Sequence, residues 1–210
     1  VPTPHQTTRR ILLMGPPGAG KGTQAVRLGQ LLQLPHISTG DIFRANVAER
    51  TTLGRAAQRY MDRGEYVPDE LTNALVFDRL GQPDAEHGFI LDGYPRTADQ
   101  VVRLEAFIEE RDLQLDAVPC LMVPRRHLLD RLTARAVASG RSDDTREVVA
   151  HRLDVYERET APLLSHYRER GLLAEVPGAG SPDDVTQRLL GVLVPATHSG
   201  RRSPEVLDIV

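Results

Sequence analysis

The sequence predicts an α/β fold, a parallel sheet covered by helices on both faces. Three observations carry this expectation. Apolar runs of strand length alternate along the chain with segments of helical period. The first run, Ile11-Leu12-Leu13-Met14, breaks into a glycine-rich turn, and a helical pattern opens directly behind it. Another run, Gly88-Phe89-Ile90-Leu91-Asp92, ends as abruptly in Gly93-Tyr94-Pro95-Arg96. Ligands of open parallel sheets bind beyond the carboxyl ends of the strands, so these two endings should share one crevice.

In chain order, residues 1–9 are polar, carry Pro2 and Pro4, and are expected to form a flexible arm. Strand one covers about 11–14. The first helix covers about 21–32, with Ala25, Leu28, Leu31 and Leu32 at helical spacing. Residues 35–38 make a short strand. Thr39-Gly40-Asp41 opens the next helix, with Thr39 its candidate N-cap. The stretch 45–80 is helical in pattern, broken at Gly54, Gly64 and Pro68; Pro68-Asp69-Glu70 has the proline and acids of a helix start. Strand 88–92 is followed by a helix over about 97–111 and a strand over 117–123. A helix from about Arg125 leads into an irregular stretch, 136–143. A long helix over about 144–170 should kink at Pro162. Strand 173–176 and a helix over 181–193, capped by Ser181, complete one domain spanning 10–194. Residues 195–210 read as a second flexible tail.

Composition excludes several classes. The net charge of −3 carries no mark of a general nucleic-acid binder. The single cysteine, Cys120, rules out an intrachain disulfide and a cysteine-built structural zinc site; its apolar surroundings point to a buried thiol. No stretch approaches the length of a membrane span, and no apolar signal core stands at the start, so a cytoplasmic enzyme is expected. The seven histidines are scattered, with no pair at metal-ligand spacing.

The turn Gly15-Pro16-Pro17-Gly18-Ala19-Gly20-Lys21-Gly22-Thr23 has the context of a phosphate-binding loop: strand, glycine-rich turn, helix N-terminus. Its glycines let backbone N–H groups approach an anion, and the helix dipole adds positive potential there. Lys21 is the only lysine of the chain; the other 25 of the 26 basic residues are arginine. A compact ammonium suits a closed anion nest better than a planar fork. The strict pattern has a hydroxyl directly after the lysine, where this chain has Gly22 and then Thr23. A metal here is therefore expected to be held by phosphates and waters.

Five ordered stretches make a specific set: the loop 15–23; Ser38-Thr39-Gly40-Asp41 with Arg44, followed by Glu65-Tyr66-Val67-Pro68; Leu91-Asp92-Gly93-Tyr94-Pro95-Arg96 with Gln100; Ser139-Gly140-Arg141-Ser142-Asp143-Asp144; and Arg152. In these, from about Arg10 to Leu193, the chain resembles the adenylate kinases. The resemblance implies a five-stranded parallel core around the phosphate-binding loop, with two inserted flaps. One, about 38–67, binds AMP; the other, a short lid at about 134–142, closes over ATP. It implies reversible transfer of a phosphoryl group from MgATP to AMP, with ATP, AMP and ADP as partners of a monomer.

By the same resemblance, Gly18, Ala19, Gly20, Lys21, Gly22 and Thr23 cradle the ATP phosphates, Arg131 and Arg135 approach ATP from above, and Gly180 contacts its base. Arg131 reads equally well as one half of a structural ion pair. Thr39, Arg44, Glu65, Tyr66, Val67, Gly93, Tyr94, Pro95, Arg96 and Gln100 line the AMP site, with Thr39 and Gln100 reading the base and Arg44 and Arg96 holding the phosphate. Arg141 and Arg152 bridge the transferring group and the acceptor, completing a catalytic set of Lys21, Arg96, Arg135, Arg141 and Arg152. Asp92 positions Mg²⁺ through water. The lid departs from many relatives, with Ala134-Arg135-Ala136 in place of Lys-Arg-Gly. A uridylate–cytidylate kinase and a nucleotide sensor without catalysis are the alternatives. The absence of an Asn-Lys-x-Asp motif speaks against a GTPase.

Overall fold

The computed structural model describes residues 9–139 and 145–193. Among these, five strands alternate with helices: β1 (Arg9–Leu13), β2 (His36–Ser38), β3 (Gly88–Asp92), β4 (Val118–Met122) and β5 (Leu173–Pro177). β3 lies between β1 and β2, β4 pairs with β5, and every pairing is parallel. The two ladders adjoin along β1 and β4, through bridges at Ile11–Ala117 and Met14–Cys120. There Leu12 N–H donates to Ala117 O at 3.0 Å and Met14 N–H to Pro119 O at 2.9 Å. In register, both Leu13 and Ser38 stand beside Asp92. Three neighbouring strands therefore end at one level, and their loops open into one crevice.

The main helices are α1 (Lys21–Leu32), α2 (Thr39–Ala48), α3 (Thr52–Met61), α4 (Asp69–Leu80), α5 (Ala98–Glu109), α6 (Arg125–Ser139), α7 (Arg146–Val155), α8 (Leu163–Glu169) and α9 (Pro182–Leu193). Strand residues alternate between two buried faces. Ile11, Leu13, Ile90 and Leu121 pack with Leu28 of α1 and Leu189 of α9. Leu12, Phe89, Leu91 and Val118 pack with Leu104 of α5 and Tyr167 of α8. Burial on both faces explains why these strands read as unbroken apolar runs. Each fully buried side chain contributes about 1.5–3 kcal/mol. Among the described residues, no helix is long and apolar enough to cross a membrane.

Several local boundaries differ from the sequence reading. Arg9, expected in the flexible arm, begins β1, because Gly88 of β3 stands beside it and its guanidinium donates to Leu193 O at the end of α9. Ser38, not Thr39, caps α2: it keeps extended backbone and its Oγ accepts the Asp41 N–H at 3.2 Å. α6 runs to Ser139, through what was expected to be an irregular stretch, since no glycine or proline occurs there before Gly140. Gly140, Arg141, Ser142, Asp143 and Asp144 lie outside the described residues, as does the tail 195–210. The expected long helix starts at Arg146, with Thr145 as its cap, and is interrupted before Pro162. Pro162 has no N–H and its ring excludes the carbonyl four residues back. The helix widens upstream into a π turn, Tyr156–Thr160, where Ala161 N–H donates to Tyr156 O at 2.9 Å.

α2 and α3 form a small pair beside the sheet, with a separate core of Phe43, Ala57 and Val67. Their close crossing depends on Gly54, where an added Cβ would lie 2.0 Å from Asn46 O. Gly54→Ala should therefore force the pair apart and cost about 1–3 kcal/mol. The expected result is a thermal midpoint lower by about 2–4 °C per kcal/mol, read by calorimetry.

Candidate active site

The loop after β1 wraps the N-terminus of α1. Gly20, with left-handed backbone at φ 96°, is the N-cap residue, and no side chain caps this helix. Its first-turn N–H groups are thus suited to an anion. Lys21 folds back over the loop: its Nζ donates to Gly15 O at 2.7 Å and Pro16 O at 3.1 Å. The loop is pressed onto α6, since a Cβ on Gly18 would lie 2.8 Å from Leu132 Cγ. Arg131 adds a second tie, donating to Ala19 O at 3.4 Å and to Gly178 O, after β5, at 3.1 Å. Of the two readings open for Arg131, this arrangement supplies carbonyl partners rather than an acid. Arg135, one turn further along α6, and Gly180 line the same cavity.

That cavity has a volume of about 760 Å³ and runs from the loop across the ends of β1 and β3. A smaller one of about 70 Å³ adjoins it, walled by Thr39, Glu65, Tyr66, Val67 and Gln100. Arg44, Arg96 and Arg152 line both. Each of the three is held by its surroundings. The Arg44 fork lies over Gly40, and its Nη2 is 2.5 Å from Asp41 Oδ1. Partial desolvation opposes ionisation of Asp41, but the Arg44 hydrogen bond and charge win and keep its carboxyl below the usual range. Arg96 Nε donates to Gly93 O at 2.7 Å, and its guanidinium stacks 5.0 Å from the centre of the Tyr66 ring. The Arg152 stem packs on Gly64, where a Cβ would come within 2.7 Å of Arg152 Cγ.

Asp92, at the end of β3, is buried beside Gly22. His36 Nε2 lies 3.6 Å from Asp92 Oδ2. Withdrawal from solvent pushes the Lys21 ammonium down to about 8; Asp92 opposes this, and Arg96 and Arg152 add to it. Tyr94 stands behind the site: it is buried, and its hydroxyl donates to Asn73 Oδ1 at 2.7 Å. Pro95 lines a third small cavity with Lys21 and Arg96. Thr23 is exposed on α1. Cys120 is buried as expected, and desolvation pushes its thiol up to about 11.

Sequence reasoning missed three residues. Thr160, in the π turn, donates to Arg96 O at 2.8 Å and accepts the Tyr66 hydroxyl at 2.8 Å. His36 is partly buried at the crevice wall, a place that its scattered position in the sequence did not signal. Asp69 had been read only as a helix-start acid, yet it accepts from both Thr97 and Gln100. The spacing from Asp69 to Gln100 carries no local period, so pattern reading had no signal for that contact.

A family model described as adenylate kinase matches residues 13–172. The chain belongs to the adenylate kinase family. The adenylate kinase of Micrococcus luteus is 57% identical over 201 residues, 96% of each chain. That of Kocuria rhizophila is 52% identical over 184 residues, 88% of this chain and 98% of the other. That of Thermobifida fusca is 50% identical over 184 residues, 88% and 97%.

Because Lys21 is the sole lysine, protein labelled with ¹³C at lysine Cε should give one lysine signal, titrating near pH 8. An ATP phosphate set beside Lys21 would stabilise the ammonium, so ATP should then move that midpoint upward and its binding should take up protons around pH 8–9. ATP affinity should then fall as pH rises through 8, by at most about tenfold per unit. A midpoint near the ordinary lysine value would contradict the desolvated site.

Proposed function

We propose that this chain transfers a phosphoryl group reversibly from MgATP to AMP, giving two ADP, with the site residues in the roles described below. Family membership supports the reaction. The observation that carries the assignment of roles is the sharing of Arg44, Arg96 and Arg152 between the loop cavity and the smaller one. A sensor needs only the donor side; arginines spanning both cavities suit a donor and an acceptor phosphate brought face to face.

AMP is already an anion near neutral pH, its second phosphate pKa being about 6. It needs no general base to attack. The chemical difficulty is to bring two polyanions together in line, which makes catalysis a matter of positioning and charge neutralisation. In this reading the loop N–H groups and Lys21 hold the donor phosphates, with Arg131 and Arg135 above them. Arg44 and Arg96 hold the AMP phosphate, and Arg152 lies between. An arginine fork can bridge two phosphate oxygens in a fixed planar geometry, which the point charge of a lysine does not impose. Arg141 belongs to the same proposed set from the lid. The α2–α3 pair and the lid would close over AMP and ATP, excluding water as a competing acceptor. The two sides of the site come from one chain, which supports a monomer, and we place it in the cytoplasm with ATP, AMP and ADP as partners.

The residues present fit a magnesium ion that arrives with ATP. Mg²⁺ keeps several waters and commonly binds through one or two carboxylates plus substrate phosphates. Asp92 offers one buried carboxylate beside the loop, and no group of three or more His, Cys, Asp or Glu among the described residues could hold a metal alone. Asp92 would hold the ion through water, and the ion would supply charge neutralisation on the donor phosphates.

Product analysis with MgATP and each of AMP, GMP, CMP and UMP tests this directly. ADP should form rapidly with AMP; a preference for UMP or CMP would overturn the base assignment, and ATP binding without any transfer would favour the sensor. Arg152→Lys should lower kcat/KM for AMP by about 10²–10³-fold at an unchanged thermal midpoint. A loss under threefold would remove Arg152 from the proposed set.

A further inference from the structure

Asp69 opens α4, and its carboxylate leaves that helix to reach the start of α5. Oδ2 accepts the Thr97 hydroxyl at 2.7 Å, and Oδ1 accepts the Gln100 side-chain N–H at 2.6 Å. Gln100 Oε1 in turn accepts the Arg96 main-chain N–H at 2.7 Å. Gln100 is 1% exposed, at the wall of the smaller cavity.

These contacts settle which end of the Gln100 amide is which. A flipped amide would set its oxygen against the Asp69 carboxylate and its NH₂ against the Arg96 N–H, two repulsions in a buried place. After both bonds are made, one amide hydrogen and one oxygen lone pair remain, in fixed order. That order matters to a purine. Adenine presents an amino donor beside a ring-nitrogen acceptor; guanine presents a carbonyl acceptor beside a ring N–H donor. An amide free to turn over satisfies either edge, whereas a locked one satisfies only one of them. Thr39, in the same cavity, is biased in the same way. Its hydroxyl hydrogen is committed to Gly93 O at 2.9 Å, so its oxygen offers only acceptance. That suits the adenine amino group and opposes the guanine carbonyl.

We propose that Asp69 is a specificity-determining positioning residue: by locking the Gln100 amide against the Arg96 main chain, it makes the acceptor site accept adenine and reject guanine. This rests on the reading of Gln100 as a base-reading residue. Asp69 acts through Gln100 and touches no nucleotide itself. Buried polar groups left mispaired by the wrong base are what give such sites large discrimination.

Asp69→Asn tests the inference. The replacement is isosteric, and its own amide can present either an oxygen or an NH₂, so that only the Arg96 main-chain N–H still biases the orientation of Gln100. The expected result is at least a tenfold fall in the ratio of kcat/KM for AMP to that for GMP. The change should come through a higher KM for AMP and a gain with GMP, with KM for ATP as the internal reference. Gln100→Ala is the companion variant. If it collapses the ratio while Asp69→Asn keeps it, Asp69 is not the lock and the base-reading role of Gln100 stands. If Gln100→Ala also keeps the ratio, the base-reading assignment fails and the proposal falls with it. A measurement on the unaltered protein covers the case in which Asp69→Asn does not fold. The side-chain amide of Gln100, assigned by its loss in Gln100→Ala, should show by NMR one proton, the one bound to Asp69, shifted far downfield of its partner. Both protons at the positions of an ordinary solvent-exposed glutamine amide would overturn the lock.

Discussion

The site depends on holding like charges close together before any anion arrives. Lys21, Arg96 and Arg152 lie near enough that the two arginines help to depress the lysine ammonium. Such a cluster would fly apart or take up disordered side-chain positions unless each cation had a partner of fixed geometry. Main-chain carbonyls supply much of that partnership. Lys21 donates to Gly15 and Pro16, Arg96 to Gly93, and Arg131 to Ala19 and Gly178. A carbonyl holds a cation without neutralising it, so the positive potential stays available to phosphate. This preorganisation avoids reorganisation at the moment of reaction.

The carbonyl partners exist because glycine-rich turns follow the strands. Gly15, Gly18, Gly20, Gly93 and Gly180 all have positive φ. They let the chain double back at the crevice edge and turn its C=O and N–H groups in different directions. The sheet sets where this happens. Parallel pairing brings Leu13, Ser38 and Asp92 to one level, so that the phosphate loop, the start of α2 and the Asp92–Arg96 turn meet. The apolar alternation on the two sheet faces is therefore linked to function through register: a slip of one residue would bury the wrong face and also displace Asp92 from the loop.

Beside this floor, the wall of the smaller cavity has packing of its own. The α2–α3 pair has a small core of its own and meets the rest of the chain where Tyr66, Val67 and Thr39 face Gln100 and Arg96. The π turn before Pro162 has a part here: it places Thr160 between Tyr66 and the main chain of Arg96. A helix break that looks like a packing accident is thus one of the ties between the smaller cavity and the turn after β3.

Much of this was legible in the chain itself. The strand runs at Ile11 and Phe89, the glycine-rich turn with its lone lysine, and the arginines at matched motif positions are local signals, each carried within a few residues. They were enough for the fold class and for most of the residues that face the crevice. Boundaries were less legible where a distant partner decides them. Arg9 joins β1 because Gly88 lies beside it, and Ser38 displaces Thr39 as the cap because β2 holds it extended. What only the tertiary structure decided was how polar groups far apart in sequence pair with one another. Asp69 meets Gln100 across 31 positions and Thr160 meets Arg96 across 64, and both are ordinary helix residues by local pattern. Hydrophobic period reports which face of an element is buried, because that preference repeats along the chain. A single hydrogen bond between two helices repeats nothing, so its partner is set only when the packed sheet brings the helices together.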